Sequence, residues 1–454
     1  MSEHDTEQAT PGISLTRGTF LKDSATTAAA ALGAGALTSV VAPTIAAAAR
    51  PPLFRTLGSA QSTVTVALGF SGPAAIPPFL KSVSDFEASH PTIKINAVAI
   101  PATSWANLFE IITTRIAAGN APDVFSIASE GVGVLGSKNL IIPVTDFLRK
   151  DPAFEHDVRG DTVPVMFQAL SYKGKQLAVP TNWNSMFVWY NTAIFRQLGI
   201  PRPKEDWTGD DFLAICATIR KHGPYAVSLW ASGTFGIEAW SLAAGGNLIN
   251  GDWTRSTALD KPNQVAWQFL YDLVWKYKYA PKPPAQDVPL FEAGRVAMIL
   301  FGRWDLATFQ ADKFHDYDFI RFPILNGGPR RNVFGIGGWT ILKSAKDPDA
   351  AFEVVKYLSS RQRLRQYAQA GNDVPARRSV AYDASVMSPP ARYRLFYDVI
   401  AQGSAVSVTA PPQYNELDTA LTRWYSKMMA NQISPAAALA GLNKDQASIL
   451  AQSV

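Results

Sequence analysis

Cysteine is almost absent from this sequence, since the chain of 454 residues contains only Cys216. A single cysteine cannot form a disulfide within the chain, and this excludes a small disulfide-stapled fold. Cys216 ends the apolar stretch Phe212-Leu213-Ala214-Ile215-Cys216. That stretch predicts a helix on which the thiol is buried and acts as a small apolar group, not as a nucleophile.

Histidine is also scarce, and the common catalytic motifs are missing. The five histidines are His4, His90, His156, His222 and His315. None has a second histidine or a cysteine at metal-ligand spacing, and there is no P-loop and no Gly-x-Ser-x-Gly motif. The letters Gly131-x-Gly133-x-x-Gly136 match a dinucleotide fingerprint but lack an acidic partner in the expected strand context. We therefore expect no metal and no cofactor.

An enzyme remains an alternative on one ground only. A secreted glycosidase needs two carboxylates that face each other across a cleft, and Glu130 and Glu238 are candidates for such a pair. The sequence does not place them relative to each other.

Long runs of one charge and long apolar runs are missing too. The formal net charge is +5, but the densest basic runs, Arg330-Arg331 and residues 361–365, are short. Short runs favour solvated faces over a nucleic-acid surface. The weakly apolar segment 25–42 is too rich in alanine and too poor in leucine and isoleucine to span a membrane.

The N-terminal segment has the pattern of an export signal. Arg17 and Lys22 precede the weakly apolar segment, and Ala46-Ala47-Ala48 offers a small-residue cleavage site. Residues 16–22 resemble a twin-arginine signal in which Gly18 replaces the second arginine. We therefore predict that residues 1–48 are removed and that the mature protein is a soluble periplasmic monomer. No cysteine follows the apolar segment, and so no lipid anchor is expected.

The start of the mature chain alternates strands and helices. Strand patterns at 64–68, 93–100 and 123–127 are separated by two helical patterns with apolar stripes. This order predicts an open α/β fold with a parallel sheet, and ligands of such sheets lie beyond the carboxyl ends of the strands. The candidate ligand loops at these strand ends are Phe70-Ser71-Gly72, Thr103-Ser104-Trp105 and Ser129-Glu130. A length of 454 residues predicts two lobes.

The stretch from Ala178 to Asn191 is the one around which we organise the chain. Pro180 favours extended backbone before it, and the β-branched and aromatic run from Met186 to Tyr190 predicts a buried strand. Trp183 stands between them among polar neighbours such as Asn184, at a position that looks like a turn. An aromatic plate flanked by amides suits a sugar, and a core tryptophan beside ordinary turn residues is the alternative.

Other tryptophans have similar surroundings. Trp230 and Trp240 lie among glycine, serine and asparagine, Trp304 follows Gly302-Arg303, and Trp339 follows Gly337-Gly338. Sugar rings pack their C–H faces on indole while their hydroxyls seek amides and charged groups. The tryptophans that fit strand or helix stripes are predicted to lie in the core: Trp189, Trp267, Trp275 and Trp424.

Four segments in order carry a resemblance to a known family. They are residues 121–125, 180–191, 291–304 and 335–343. Together they resemble the extracellular solute-binding proteins of ATP-binding-cassette (ABC) transporters, in the group that includes the maltose-binding protein. The resemblance covers about Val64 to Arg378.

The resemblance implies a type II periplasmic-binding-protein fold. Two lobes, each a mostly parallel sheet flanked by helices, would be joined by hinge crossovers near 178–180 and 326–333. The first lobe would comprise residues 62–177 and 333–368, and the second 178–332 and 369–454. A sugar would bind between lobes that close on it, and a membrane permease would recognise the closed form.

The predicted ligand-binding residues combine stacking and hydrogen bonding. They are Trp183, Asn184, Trp230, Trp240, Arg303, Trp304, Trp339, Glu130 and Arg377. A di- or oligosaccharide is the first choice of ligand. A sugar phosphate or glycerol phosphate, held by Arg303 and Arg377, is the alternative, and an adhesion protein that presents an aromatic surface is another.

Overall fold

The structure is a computed structural model that describes residues 13–14, 61–69, 73–230, 233–282, 287–304, 306–387 and 392–452. The predicted export signal, residues 1–48, lies outside the described residues except for Ile13–Ser14. The predicted ligand loop 70–72 also lies outside them.

The strands follow the chain in this order: β1 Ile13–Ser14, β2 Ser62–Leu68, β3 Ile93–Ala99, β4 Val124–Ala128, β5 Ile141–Ile142, β6 Ser171–Tyr172, β7 Lys175–Gln176, β8 Val179–Ser185, β9 Phe187–Asn191, β10 Tyr225–Val227, β11 Val296–Phe301, β12 Tyr317–Ile320, β13 Asn332–Leu342, β14 Val374–Pro375 and β15 Ala405–Ser407.

The α-helices are α1 Ile76–Ser89, α2 Trp105–Ala117, α3 Ser129–Ser137, α4 Thr145–Lys150, α5 Pro152–Gly160, α6 Pro164–Ala169, α7 Thr192–Gln197, α8 Gly209–Lys221, α9 Thr234–Ala243, α10 Lys261–Trp275, α11 Asp287–Glu292, α12 Leu306–Ala311, α13 Pro348–Leu358, α14 Arg361–Gln369, α15 Arg378–Ala381, α16 Ala384–Met387, α17 Arg394–Ala401, α18 Tyr414–Met429 and α19 Pro435–Leu450. Within the described residues, no helix is long and apolar enough to cross a membrane.

The larger sheet has the strand order β1-β3-β2-β4-β13-β8-β14, and β5 and β15 also pair with β13. Strands β2, β3 and β4 are parallel, as the alternating pattern predicted. Strand β13 runs antiparallel to both β4 and β8, and β14 runs antiparallel to β8. The expectation of a mostly parallel sheet is therefore wrong around β8 and β13.

The smaller sheet has the strand order β10-β11-β9-β12. Its place in the chain, between β8 and β13, accounts for the antiparallel pairing of those two strands in the larger sheet. In it, β10 and β11 are parallel, whereas β9 is antiparallel to β11 and to β12. The chain leaves the larger sheet through β8, enters the smaller one as β9, and returns from β12 to β13. The chain leaves at the end of β8 and comes back at the start of β13 on the same side of the sheet, where Phe334 pairs with Ser185, so these two strands run in opposite directions.

Local signals at helix ends agree with the sequence. Helix α8 begins with a capping box, in which the Thr208 side chain accepts from the backbone of Asp211 and the Asp211 side chain accepts from the backbone of Thr208. It is followed by Gly223 at φ 110°, a conformation that glycine adopts without strain. Cys216 is fully buried on this helix, as predicted, and burial raises the pKa of its thiol.

The organising stretch differs from its prediction in one respect. Trp183 is not in a turn, because β8 runs from Val179 to Ser185 between β13 and β14. Successive side chains of a strand point to opposite faces, so Trp183 faces one side and Asn182 and Asn184 face the other. The chain changes sheet at Met186, between β8 and β9.

Candidate functional site

The first wall of the candidate site is the start of α3, which follows β4 at its carboxyl end. Glu130 lies there and is buried. The hydroxyl of Ser129 donates to Glu130 Oε2 at 2.9 Å and accepts from the backbone N–H of Ile336 at 3.2 Å. Glu130 therefore lies in the first turn of a helix that directly follows β4, and not in a loop as predicted.

The opposite wall is α9, which follows β10 of the smaller sheet. The backbone N–H and the hydroxyl of Thr234 donate to Asp418 Oδ1 at 2.7 and 2.6 Å. One turn later, Glu238 is buried and accepts from the hydroxyl of Thr409 at 2.5 Å and from its backbone N–H at 3.2 Å. Carboxylates therefore line this wall as well.

An aromatic cluster lies between the two walls. The ring of Trp304 packs edge-on against Trp230 at 5.9 Å and against Phe235 at 6.0 Å between centroids. A Cβ at Gly335 would stand 3.2 Å from the Phe235 ring and 3.6 Å from Glu130 Oε1. Gly335 thus lets an aromatic ring of one wall and a carboxylate of the other approach the same strand.

A polar network adjoins Trp304. The side-chain oxygen of Asn184 accepts from the backbone N–H of Arg303 at 2.7 Å, and its amide group donates to Asp373. Asn182 donates to the other oxygen of Asp373 at 2.5 Å. The amides of β8 therefore connect the larger sheet to the turn that carries Trp304.

The guanidinium of Arg303 is buried in this network and points to protein groups. It donates to the carbonyls of Ala368 and Asp373 at 2.9 Å each, and also to the carbonyl of Asn372. These bonds occupy the donors that we had expected to contact a ligand. Arg303 holds the segment around Asp373 instead.

Burial dominates the electrostatics of the site. It raises the pKa of Glu130 and of Glu238 to about 7, although hydrogen bonds from Ser129 and Thr409 work in the opposite direction. It also raises the pKa of Asp373 to about 6, against the stabilising effect of the two asparagines and Arg303. The site is thus lined by carboxyl groups that are readily neutralised near physiological pH.

The structure brings five of the predicted ligand residues together and separates the other four. Glu130, Asn184, Trp230, Arg303 and Trp304 belong to the connected region described above. Outside that region lie Trp183, Trp240, Trp339 and Arg377.

These four side chains are buried against protein groups. Trp183 packs edge-on against Phe396 and Tyr397, and Trp240 packs against Phe212, Phe269 and Phe322. Trp339 stacks on Phe79 at 5.9 Å, and Arg377 pairs with Asp157 at 2.8 Å. Each is at most 2% exposed, and so we leave them out of the proposed site.

Sequence reasoning missed Phe235, Asp373 and Asp418. Asp373 lies four residues before Arg377, which we had selected from the same segment. No local pattern marks Asp373, because its partners Asn182 and Asn184 are 191 and 189 residues away. Phe235 and Asp418 likewise gain their role only from the packing of α9 and α18.

The glycine motif 131–136 has a packing role. It lies inside α3 and not at a strand-to-helix turn. A Cβ at Gly131 would be 2.4 Å from the Phe109 ring, and one at Gly133 would be 2.6 Å from the Ala410 carbonyl oxygen. The three glycines therefore let neighbouring elements approach α3 closely, and they do not cradle a dinucleotide.

Metal ligation has no support in the described part of the chain, where no group of three or more His, Cys, Asp or Glu side chains could hold an ion.

The tryptophans that we predicted to lie in the core do so. Trp189 and Trp267 are fully buried, and Trp275 and Trp424 are partly buried and pack against the core.

Comparisons with known proteins identify the family of this chain. The family model for bacterial extracellular solute-binding proteins matches residues 72–362. An uncharacterized ABC transporter extracellular-binding protein of Pyrococcus horikoshii is 25% identical over 66% of this chain and 68% of its own length. A maltotriose-binding protein of Pyrococcus abyssi is 23% identical over 63% of this chain and 62% of its own length.

Among solved structures, an ABC substrate-binding protein of Listeria monocytogenes in complex with cycloalternan superposes with a TM-score of 0.76. It is 21% identical, and the match covers 86% of this chain and 98% of that one. At this level of identity the likeness concerns the fold.

Proposed function

The chain belongs to the bacterial extracellular solute-binding proteins, and from this premise we propose that it is the substrate-binding component of an ABC importer for an oligosaccharide. Its fold is the predicted one, α/β with two lobes. The observation that supports a sugar as the ligand is the cluster of Trp230, Phe235 and Trp304 beside buried carboxyl and amide groups. Aromatic faces pack on sugar rings, and carboxyl and amide groups bind hydroxyls.

The relatives support the same class of ligand. The Pyrococcus abyssi protein is named for maltotriose, and the Listeria monocytogenes structure holds cycloalternan. We propose that the present site takes a di- or oligosaccharide of comparable chemistry, which is then delivered to a membrane permease. The predicted export of residues 1–48, the periplasmic location, the absence of a lipid anchor and the monomeric state belong to this proposal.

We propose that the two lobes are organised around the two sheets. The changes of sheet at Met186 and between Ile320 and Asn332 would be the hinge crossovers. Closure would then bring α3 on the larger sheet toward α9 on the smaller one, with the ligand between them. A ligand that binds the closed form more tightly shifts the population toward it, and this is what a permease would detect.

The sugar-phosphate alternative loses its support. It relied on Arg303 and Arg377 for positive charge, but the Arg303 guanidinium donates to backbone carbonyls and Arg377 pairs with Asp157. The glycosidase alternative rests on Glu130 and Glu238 alone, and it predicts hydrolysis of a bound oligosaccharide.

Thermal unfolding of the mature protein against a sugar panel tests the proposed function. The panel contains maltose, maltotriose, mannobiose, lactose and a glucose phosphate, with arginine and spermidine as controls. A ligand at a hundredfold over its Kd stabilises the folded form by about 2.7 kcal/mol, which raises the midpoint by a few degrees. We expect a rise with a neutral oligosaccharide and intact sugar afterwards by chromatography. A rise of the unfolding midpoint with arginine or spermidine alone contradicts an oligosaccharide ligand. Hydrolysis of the sugar supports the glycosidase alternative.

Trp304→Ala is expected to weaken binding of the active sugar about 10- to 100-fold. Loss of a stacking indole removes roughly 1 to 3 kcal/mol of contact energy. Isothermal titration calorimetry measures the change in Kd. The control for loss of a tryptophan elsewhere is Trp253→Ala, in the segment between α9 and α10. Unchanged affinity in Trp304→Ala would place the ligand away from the aromatic cluster.

A further inference from the structure

Helix α9 carries the aromatic cluster of the site on its first turn. Phe235, the second residue of the helix, packs edge-on against Trp304 at 6.0 Å between centroids. At the next position, Gly236, a Cβ would overlap the indole of Trp230, so that ring lies directly against the backbone of the turn. The position of this one turn therefore determines where Phe235 and Trp230 stand relative to a ligand.

The start of α9 has no capping side chain of its own. Its N-cap residue is Gly233, with φ 82° and ψ 147°, a backbone region that is open almost only to glycine. The first backbone N–H groups of a helix find no acceptor within the helix, and an N-cap serine, threonine, aspartate or asparagine usually provides one. At Gly233 such a side chain would strain the backbone, so the acceptor must come from another element.

Helix α18 supplies these acceptors. The backbone N–H and the hydroxyl of Thr234 donate to Asp418 Oδ1 at 2.7 and 2.6 Å. One turn further along α18, the hydroxyl of Thr422 accepts from the backbone N–H of Gly233 at 3.1 Å. The half-buried carboxylate of Asp418 also places negative charge at the positive end of the α9 dipole. Two residues of α18, 184 and 189 positions away from their partners in the chain, thus cap α9.

The same helix also contacts the opposite wall of the site. The side-chain amide of Asn415 donates to the carbonyl of Ala106 in α2 at 3.3 Å. The ring of Tyr414 packs edge-on against Phe109 of α2 at 6.4 Å between centroids, and Phe109 lies in turn against Gly131 of α3. Helix α18 therefore begins against the helices of the larger sheet and, one turn later, caps the helix turn that holds the aromatic cluster.

We propose that Asp418 is a positioning residue of the sugar site: by capping α9 from α18, it holds Phe235 and Trp230 in the geometry that stacking on a sugar ring requires. The inference rests on the proposed function and deepens it, because it assigns part of the affinity to a residue outside the aromatic cluster. Contacts between an aromatic face and a ligand depend on the distance and the tilt of the ring. A turn that loses its cap moves more freely, and ordering it around the ligand then costs binding free energy.

The first test measures the affinity of the mature protein for maltotriose by calorimetry, well below the unfolding transition. We expect Asp418→Ala to weaken binding about 5- to 30-fold, the range that loss of an N-cap produces. Asp418→Asn keeps an acceptor for both donors of Thr234 and should weaken binding less than about twofold. Glu416→Ala removes an exposed carboxylate two residues earlier on the same helix, and its affinity should equal that of the wild type.

A cycle of single and double variants separates a positioning role from direct contact with the sugar. If Asp418 acts through the aromatic cluster, Asp418→Ala should weaken binding by a much smaller factor once Phe235→Ala has removed the ring. An equal factor with and without Phe235 would mean that the carboxylate acts independently of the cluster, and this overturns the inference. Unchanged affinity in Asp418→Ala overturns it as well, and in both cases the oligosaccharide importer stands.

Two measurements on the unliganded protein need no sugar and decide when maltotriose does not bind. We expect the backbone amides of Gly233 and Thr234 to exchange hydrogen at least about tenfold faster in Asp418→Ala than in the wild type or Glu416→Ala. The near-ultraviolet circular dichroism of the aromatic cluster should decrease in the same variant. Both changes without maltotriose binding support the positioning role and contradict only maltotriose as the ligand. If either the exchange or the circular dichroism is unchanged, the inference is wrong.

Discussion

Trp339→Ala is expected to lower the free energy of unfolding by about 3–5 kcal/mol while leaving the affinity for sugar unchanged. The indole is 1% exposed on β13 and stacks on Phe79, and the guanidinium of Arg363 lies 5.9 Å from its centre. Truncation to alanine leaves a cavity between β13 and α1 and removes one of the two aromatic rings beside the buried guanidinium of Arg363, the other being Tyr367. Urea denaturation measures the loss of stability, and calorimetry well below the unfolding transition measures the affinity.

Trp304→Ala provides the matched comparison, because it removes the same side chain from a half-buried position. We expect the two variants to show opposite profiles, with stability lost in Trp339→Ala and affinity lost in Trp304→Ala. Trp339→Phe, which keeps a ring on Phe79, should lose less stability than Trp339→Ala. If Trp339→Ala instead abolished binding at unchanged stability, the ligand would lie against β13 on the side of Phe79.

The comparison of these two tryptophans shows what the sequence could and could not predict. Both follow a glycine-containing turn or strand, and their neighbours in the chain are similar in kind. What separates them is the element that packs on each one. The first helix, α1, covers Trp339, whereas Trp304 stays half-buried beside Trp230, Phe235 and Phe301, and local sequence carries neither fact.

Elements made by short-range patterns were predicted well. The parallel unit β2-α1-β3-α2-β4 follows from apolar periodicity within a few positions. The strand β8 was misjudged at Trp183, because asparagine on either side resembled a turn. These asparagines are instead held by Asp373, a partner almost two hundred residues away.

The polar network around Asp373 also explains how a site can be specified without a local motif. Its asparagines belong to β8, its arginine follows β11, and its aspartate precedes β14. All three elements meet where the chain passes between the sheets. The network can thus transmit the position of the larger sheet to Trp304, which follows Arg303 directly in the chain.

Arg303→Met is the second substitution for which we expect a large effect, a loss of about 3–5 kcal/mol in the free energy of unfolding. Methionine keeps much of the apolar stem but removes the guanidinium donors to the carbonyls of Ala368, Asn372 and Asp373. It also removes the charge of Arg303 from the neighbourhood of the buried Asp373 carboxylate, which keeps only the smaller attraction of Arg363. Buried acceptors that lose their donors, together with a buried charge that loses compensation, are among the costliest changes in a protein interior.

The control and the pH dependence make this prediction specific. Arg149→Met removes an exposed arginine that pairs with Asp146 at 3.1 Å, and it should cost less than about 1 kcal/mol. Burial raises the pKa of Asp373 to about 6 even with Arg303 present, and losing the arginine raises it further. A carboxyl with a raised pKa favours the folded state less as the pH rises, so Arg303→Met should be more damaging at pH 8 than at pH 5.5.

A second substitution isolates the charge of Asp373 from the lost hydrogen bonds. In Arg303→Met/Asp373→Asn, no buried carboxylate remains at this position, and we expect part of the stability to return at pH 8 but little change at pH 5.5. Urea unfolding of the single and double variants at both pH values measures this coupling. An Arg303→Met variant no less stable than Arg149→Met, or a loss independent of pH, would mean that Arg303 does not compensate Asp373, and Trp304 would then owe its position to aromatic packing alone.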